Sequence, residues 1–138
     1  MNAGRTPAQL YALIVGATLV IAGIIGFFYN ATFTSNKSVH HDVFGILAVN
    51  GWHNVVHIVT GALGLLALGY AARLYAGGLG IVYIVVAIWG FIIGSGDSIL
   101  TIVPVNTADN VLHLLLGVLG ILAGLATEEP GGAPAPAT

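Results

Sequence analysis

The chain has 138 residues, of which 57% are hydrophobic and only 6% are charged, and its formal net charge is -2. A soluble domain usually carries about 25% charged residues, so this composition excludes an ordinary soluble globular protein. The chain contains no cysteine, which excludes disulfides, thiolate metal sites, iron–sulfur clusters and cysteine nucleophiles. The small net charge and the scattered positions of the three basic residues predict no nucleic-acid partner.

The first apolar segment predicts a membrane helix over about residues 8–28, since a spanning helix needs roughly 20 apolar residues. Thr6 and Pro7 are typical of an N-cap followed by proline at the first helical position. The segment is long and no small-residue cleavage site follows it closely, so we expect a retained helix rather than a signal peptide. The more polar stretch up to residue 49 is predicted to be a loop, with a short interfacial helix near residues 43–49.

Three more helices are predicted, over about residues 51–72, 79–94 and 107–126. Arg73 and the Gly77-Gly78 pair predict a turn before the third helix, and a loop closed by Pro104 precedes the fourth. The apolar runs are continuous rather than alternating, which favours helices over strands. The predicted fold is an all-α integral membrane four-helix bundle over residues 1–127, followed by a disordered Pro/Gly/Ala-rich tail over 128–138.

An internal repeat is the most informative feature of the sequence. Asparagine, asparagine, histidine, glycine and glycine recur in the same order 56 residues apart. The first set is Asn50, Asn54, His57, Gly61 and Gly64, and the second is Asn106, Asn110, His113, Gly117 and Gly120. The repeat predicts two helical hairpins of one design that run in the same direction through the membrane.

The repeated residues fall on one face of each helix. At the helical period, His53 joins the stripe of the second helix and Asp109 joins that of the fourth. Each stripe is polar at its N-terminal end and small in its middle, so it should face the bundle interior or a partner rather than lipid. In the structural interpretation, the glycines allow close helix packing, Asn50 and Asn106 cap their helices, and the histidines form hydrogen bonds.

Three functional alternatives remain beside that interpretation. His57 and His113 are a candidate pair of axial ligands for a b-type haem, with the nearby glycines making room for the porphyrin. A metal site is a second alternative, because histidines four residues apart share a helix face and can chelate zinc; its ligands would be His53, His57, Asp109 and His113. Transport is a third alternative, because intramembrane ionisable residues often mark ion pathways.

No catalytic triad, phosphate loop or pair of carboxylates is visible in the sequence. We therefore expect a non-enzymatic membrane protein without a resident cofactor or metal, acting as an accessory or structural subunit of a larger membrane complex. Its expected partners are the lipid bilayer and other membrane subunits or further copies of itself.

Two segments carry a resemblance to a known family. Residues 50–57, which read Asn-Gly-Trp-His-Asn-Val-Val-His, and residues 104–113, from Pro104 to His113, resemble motifs of small four-helix bacterial membrane proteins. That family is common in actinobacteria and is catalogued only as a domain of unknown function. The resemblance covers about residues 6–127 and implies a bacterial plasma-membrane location, but no activity.

The basic residues indicate an orientation. Arg5 and Arg73 fall on one predicted side of the membrane and Lys37 on the other. Because cytoplasmic loops carry an excess of lysine and arginine, both termini are predicted to be cytoplasmic. The first loop, which contains His40 and His41, is longer than the resemblance leads us to expect.

Overall fold

The computed structural model describes residues 4–34 and 41–128. Within these ranges the chain forms four helices: α1 (Pro7–Tyr29), α2 (Gly51–Ala67), α3 (Ala72–Ile93) and α4 (Thr107–Leu125). Two short antiparallel hairpins connect them, β1 (His41–Val43) with β2 (Leu47–Val49) and β3 (Ser98–Ile99) with β4 (Val103–Pro104). Lys37, His40 and the predicted disordered tail beyond Glu128 lie outside the described residues.

Three of the four helices are long and apolar enough to cross a membrane. They are α1 with 23 residues, α3 with 22 and α4 with 19, and their mean hydropathies are 2.4, 2.3 and 1.8. The fourth, α2, has 17 residues. Large apolar side chains point outward from every helix, including Ile14, Leu66, Ile92 and Leu125, which are 61–78% exposed. Lipid is the environment that such a surface requires.

The two hairpins correct the predicted all-α class. The interfacial helix expected near residues 43–49 is wrong, because this segment is the β1–β2 hairpin. Its turn contains Phe44 and Gly45 at φ values of 52° and 70°, and the β3–β4 turn contains Leu100 and Thr101 at 52° and 65°. Two successive positive φ values match the twist of a tight hairpin. Strands of two or three residues are too short to leave an alternating pattern in the sequence.

The boundary between the second and third helices also differs from the prediction. Helix α2 ends at Ala67 and α3 begins at Ala72, so Gly77 and Gly78 lie inside α3 rather than in a turn. The Nε of Arg73 donates a hydrogen bond of 3.1 Å to the carbonyl of Gly124 at the end of α4. A Cβ on Gly124 would lie 3.3 Å from the backbone nitrogen of Gly77. Gly124 therefore packs against the backbone of Gly77, whereas a Cβ on Gly77 itself would meet nothing within 4 Å. Glycine inside a helix is common in membrane proteins.

The glycine stripes are buried inside the helix pairs α1–α2 and α3–α4. A Cβ on Gly61 would lie 2.5 Å from the carbonyl oxygen of Gly16, and a Cβ on Gly117 would lie 2.9 Å from that of Gly80. The backbones of each pair therefore touch, which allows weak Cα–H···O contacts between them. The stripes, which were expected to face the bundle interior or a partner, are thus covered within this chain.

Between the two helix pairs lies a core of small and aromatic side chains. Tyr11 spans it and donates a hydrogen bond of 2.9 Å to the carbonyl of Leu116. At the end of the bundle near the termini, the hydroxyl of Thr127 accepts a bond of 2.9 Å from the backbone N–H of Ala8. The buried members of this core are Ala8, Tyr11, Ala12, Val15, Leu19, Ala72, Ala76 and Tyr83.

Two asparagines pack directly against glycines. A Cβ on Gly26 would overlap the side-chain carboxamide of Asn54, and a Cβ on Gly90 would overlap that of Asn110. Both side-chain oxygens are buried and accept no conventional hydrogen bond from the described residues. Because each oxygen lies close to a glycine Cα, a Cα–H···O contact is the interaction still open to it.

Replacing Gly90 with alanine tests this packing. We expect Gly90→Ala to destabilise the fold by about 1–3 kcal/mol, because the new methyl group forces the buried Asn110 out of place. The measurement is SDS-induced unfolding in mild detergent, followed by circular dichroism. Gly78→Ala on the same helix is the matched control, since a Cβ there meets nothing within 4 Å. Equal stability of the two variants would contradict the packing argument.

Candidate metal centre

Three histidines meet near the N-terminal ends of α2 and α4. His53 and His57 lie one turn apart on α2, and His113 reaches them from α4. One ring nitrogen from each lies within 4.8 Å of the other two. His53 and His113 are buried, whereas His57 is half-buried. A cluster of three imidazole nitrogens at this separation is an arrangement that can hold a metal ion.

The helix starts that carry these histidines are fixed by a reciprocal pair of asparagines. The Oδ1 of Asn50 accepts a bond of 2.9 Å from the N–H of His53, while its Nδ2 donates a bond of 2.7 Å to the carbonyl of Ile102. On α4, the Oδ1 of Asn106 accepts a bond of 3.0 Å from the N–H of Asp109, while its Nδ2 donates a bond of 2.7 Å to Ile46. Each cap therefore ties its helix to the hairpin that precedes the other helix.

The ring of His53 is held by a backbone carbonyl. Its Nδ1 lies 2.8 Å from the oxygen of Ala48. A carbonyl can only accept a hydrogen bond, so Nδ1 carries the proton and Nε2 keeps its lone pair for another partner. Histidines that bind metals are commonly oriented in this way by a carbonyl at the second ring nitrogen.

Asp109 supports the same strand from the other side. Its Oδ2 accepts a bond of 2.9 Å from the N–H of Ala48 and one of 3.0 Å from the N–H of Asn106. Both polar backbone groups of Ala48 are therefore bonded to side chains of the site. Asp109 is not a member of the three-histidine group, so of the four ligands considered from the sequence, the structure brings the three histidines together.

The other two imidazoles have polar atoms that await a partner. The Nδ1 atoms of His57 and His113 are buried and have no hydrogen-bond partner among the described residues. Burying such a group without a partner costs about 1–3 kcal/mol. The ring of Tyr83 stacks on that of His113 at a centroid distance of 4.9 Å and an angle of 27°, which restricts its rotation. Ligation of an ion through Nδ1 would give these two atoms a partner.

The separation of the nitrogens suits a small cation. Tetrahedral Zn²⁺ has Zn–N bonds of about 2.0–2.1 Å, which places its nitrogen ligands roughly 3.3–3.4 Å apart. The three nitrogens here lie within 4.8 Å of one another, so binding such an ion would draw the imidazole rings closer together. Three protein ligands leave the fourth position open, as in catalytic zinc sites.

The remaining stripe residues pack away from this cluster. Asn54 and Asn110 lie against glycines, Gly61 and Gly117 touch neighbouring backbones, and the other two glycines of the stripe lie against tyrosines. A Cβ on Gly64 would overlap the ring of Tyr75, and one on Gly120 would lie 2.8 Å from the hydroxyl of Tyr11. The space beside these glycines, which the haem hypothesis assigns to the porphyrin, is thus filled by protein atoms.

Two residues that contribute to the site were not predicted from the sequence. Ala48 lies in a strand that was not predicted, and an alanine carries no chemical signal. Tyr83 lies on α3, outside the repeated motifs, although an aromatic residue with a hydroxyl in an apolar helix is a weak indication of a polar neighbour.

The profile of a family described as a domain of unknown function, DUF4383, matches residues 9–126. The chain belongs to the DUF4383 family. The match spans all four helices and includes every histidine of the cluster, and it confirms the expectation of an uncharacterised family. No curated protein and no solved structure matches this DUF4383 chain significantly.

Removing the Asp109 carboxylate tests its support of β2. We expect Asp109→Ala to destabilise the fold by about 2–3 kcal/mol, because the buried N–H of Ala48 and the N–H of Asn106 lose a charged acceptor. SDS-induced unfolding measures the change. The control is Asp42→Ala, which removes an exposed carboxylate from β1 and should change stability by no more than about 0.5 kcal/mol. Indistinguishable variants would mean that Asp109 does not hold the strand.

Proposed function

We propose that this protein is an integral membrane protein whose function is to bind one transition-metal ion through His53, His57 and His113. The observation that carries the proposal is the convergence of three imidazole nitrogens within 4.8 Å. Two of these side chains also have a buried nitrogen without a hydrogen-bond partner in the described part of the chain, and the third is oriented by a carbonyl. These three features together are those of a ligand set.

The chemistry of the donors limits the ion. Imidazole suits Zn²⁺, Cu, Ni and Fe ions, whereas Ca²⁺ and Mg²⁺ prefer oxygen ligands. The chain has no cysteine, so thiolate sites of softer character do not arise. Zn²⁺ or Cu is the best match to three nitrogens with one open position.

We further infer that the bundle crosses the membrane four times. It consists of two copies of one unit, each a pair of helices joined through a β-hairpin. Contacts at positions 56 residues apart support this inference. The two N-cap asparagines bond to equivalent carbonyls in opposite hairpins, and the two hairpin turns have equivalent φ values. An axis along the membrane normal would relate the units and place the histidines beside it.

Metal binding is measured by titrating the apo-protein in mild detergent with Co²⁺, a spectroscopic probe for zinc sites. We expect one Co²⁺ per chain, with the visible absorption of a four-coordinate site. Replacing a residue that only hydrogen-bonds to a metal ligand costs about 10–100-fold in metal affinity. Replacing a ligand itself, as in His57→Gln, should therefore weaken binding about 100-fold or more. Zn²⁺ should displace the probe.

His41→Gln is the matched control, because His41 is an exposed histidine on β1. It should leave stoichiometry and affinity unchanged. Circular dichroism of each variant shows that lost binding does not reflect lost folding. Binding that persists in His57→Gln, or that His41→Gln abolishes, would refute the three-histidine site.

The same sample separates the metal proposal from the b-type haem proposal. Protein expressed with haem available and purified in mild detergent would show a Soret band that sharpens on reduction if His57 and His113 held haem. Because the stripe glycines are packed against protein atoms, haem would require the helix pairs to separate. The geometry therefore favours a bare ion.

The accessory-subunit proposal now depends on a different surface. Its glycine faces are covered inside the helix pairs, so a partner would have to displace lipid from the outward apolar side chains. Co-purification in mild detergent tests this proposal, and flux in liposomes tests transport. Metal binding excludes neither the accessory-subunit proposal nor transport, because a subunit or a transporter can also bind a metal.

We propose a plasma-membrane location with both termini cytoplasmic and both hairpins outside. Arg5 and Arg73 at the opposite end of the bundle support this orientation under the positive-inside rule. A chain without cysteine permits single-cysteine labelling by an impermeant maleimide. Asp42→Cys should react in intact cells, and Glu128→Cys only after permeabilisation. The opposite labelling pattern would mean that the termini lie outside and the β-hairpins in the cytoplasm.

A further inference from the structure

The histidine cluster offers a metal ion three ligands that carry no negative charge. Its donors are imidazole nitrogens of His53, His57 and His113, and no carboxylate of the described residues belongs to the group. A histidine binds a metal in its neutral form. The second ring nitrogen of His53 bonds to the carbonyl of Ala48, which is also uncharged. The ligands and this supporting group therefore attract an ion through lone pairs and dipoles alone.

One carboxylate lies beside the cluster without joining it. Asp109 is buried and lines the same cleft as His57. Its Oδ2 already accepts hydrogen bonds from the N–H groups of Ala48 and Asn106, and such bonds stabilise an ionised carboxylate. Asp109 therefore contributes a fixed negative charge rather than a ligand atom. One positive charge on the ion balances this charge, whereas a divalent ion leaves a buried excess of one.

The burial of the cluster penalises a high charge. His53 is 2% exposed and His113 is 5% exposed. The Born cost of moving an ion from water into a medium of low dielectric constant rises with the square of the ionic charge. The attraction between the ion and neutral ligands rises only in proportion to that charge. A buried set of neutral ligands therefore favours a monovalent ion over a divalent one.

The number of ligands favours the same choice. Zn²⁺ is almost always four-coordinate, so with three histidines it needs a water as well. A cleft of about 290 Å³ between α1 and the β1–β2 hairpin reaches His57, but apart from Thr18, His57 and Asp109 its lining side chains are apolar. Buried waters typically make about three hydrogen bonds to polar groups. Cu(I), which has a filled d shell, forms three-coordinate complexes with nitrogen ligands and needs no water.

We propose that the histidine cluster binds Cu(I), a monovalent ion, in preference to divalent ions. This inference rests on the proposed metal site and narrows the class of ion that it takes. The three imidazole nitrogens hold the ion in a three-coordinate arrangement, and the carboxylate of Asp109 balances its charge from outside the ligand set. Imidazole is a common ligand of copper. Binding of this kind transfers no electron and breaks no covalent bond.

Other ions meet only part of these conditions. K⁺ carries one charge, but its sites in proteins are built from oxygen atoms. Cu(II) binds imidazole strongly but favours a tetragonal arrangement of ligands, which three histidines do not complete. Zn²⁺ accepts the three nitrogens but brings a second charge and requires a fourth ligand.

The experiment compares ions of different charge on one protein. The Co²⁺-loaded protein in mild detergent is titrated with Ag⁺, a monovalent probe, and separately with Zn²⁺, and the loss of Co²⁺ absorption gives both affinities. A soluble peptide with three histidines supplies the ratio of the two affinities in water. We expect the protein to exceed the Ag⁺-to-Zn²⁺ ratio of the peptide by about tenfold or more, because burial penalises the divalent ion.

The same titrations separate the two proposals. A ratio equal to or below that of the peptide would overturn the preference for a monovalent ion, while one bound Co²⁺ per chain would leave the metal site intact. If neither Co²⁺, Zn²⁺ nor Ag⁺ binds, the metal site itself is refuted.

Ala22→Glu tests the charge argument, because Ala22 lines the cleft together with His57 and is half-buried. A second carboxylate in this cleft supplies the charge and the oxygen ligand that a divalent ion lacks. The affinity for Zn²⁺ relative to Ag⁺ should therefore rise by about tenfold or more. Ala22→Gln is the matched control, because it has the same length without the charge, and it should leave the ratio unchanged. Circular dichroism checks the folding of both variants. Equal changes in the two variants, or no change in Ala22→Glu, would overturn the proposal.

X-ray absorption of the Cu(I)-loaded protein tests the coordination number directly. The protein is loaded without oxygen in the presence of ascorbate, and competition with bicinchoninate gives its affinity for Cu(I). We expect three nitrogen neighbours around the copper and the absorption edge of three-coordinate Cu(I). His57→Gln should lose one of these neighbours, whereas His41→Gln, which changes an exposed histidine, should keep all three. A fourth neighbour in the unaltered protein would overturn the three-coordinate assignment.

Discussion

The arrangement of this protein depends on the crossed hydrogen bonds of two asparagines. Asn50 and Asn106 each use the side-chain oxygen to cap their own helix and the side-chain nitrogen to bind the β-hairpin that precedes the other helix. At a membrane interface these carbonyls and N–H groups would otherwise need water, and an unsatisfied polar group near hydrocarbon is costly. The same two side chains thus end the helices, anchor the hairpins and set the distance between α2 and α4. The histidines lie one and two turns beyond these caps, so their separation follows from this bracing.

The two hairpins make this bracing possible. A longer loop could not present a carbonyl to a cap at a defined position, whereas a tight turn with two positive φ values holds Ile46 and Ile102 in place. Strand β2 then brings Ala48 between His53 and Asp109, where it bonds to both. Ala48, Val49 and Val105 at this end of the bundle are buried against protein, whereas the turn residues Phe44 and Leu100 are exposed. A membrane tolerates irregular backbone where it is buried in protein or reaches water.

Much of the helical framework can be predicted from the sequence, because long apolar runs and capping residues are strong local signals. The existence of four helices and the position of the α4 N-terminus follow from such signals. The Gly77-Gly78 pair shows where local reasoning is wrong. Two glycines and an arginine suggest a turn in a soluble protein, but glycine is common inside membrane helices, and the side chain of Arg73 bonds to the end of α4. Only the position of α4 shows that Arg73 pairs with the end of that helix instead of lying in a turn.

The candidate site could likewise be predicted only in part. The stripes predict which side chains face inward, but whether they face one another depends on the rotation of each helix about its axis, which glycine packing sets. The convergence of His53, His57 and His113 and the stacking of Tyr83 on His113 are therefore tertiary facts that no single segment encodes. The hairpins were missed because strands of two or three residues have no period.

The two copies of the proposed repeat differ at a position beside the histidine cluster. At the third residue of each helix, His53 stands in the first unit and Asp109 in the second, whereas His57 and His113 are the same residue in both. Two units with aspartate at this position would bury two carboxylates near each other, which is unfavourable unless a cation neutralises them. Two units with histidine would lose the acceptor that holds Ala48 and Asn106. The mixed pair gives one side chain to the cluster and one to the support of its strand. This difference makes the cluster of three histidines asymmetric, with two of its members on α2 and one on α4.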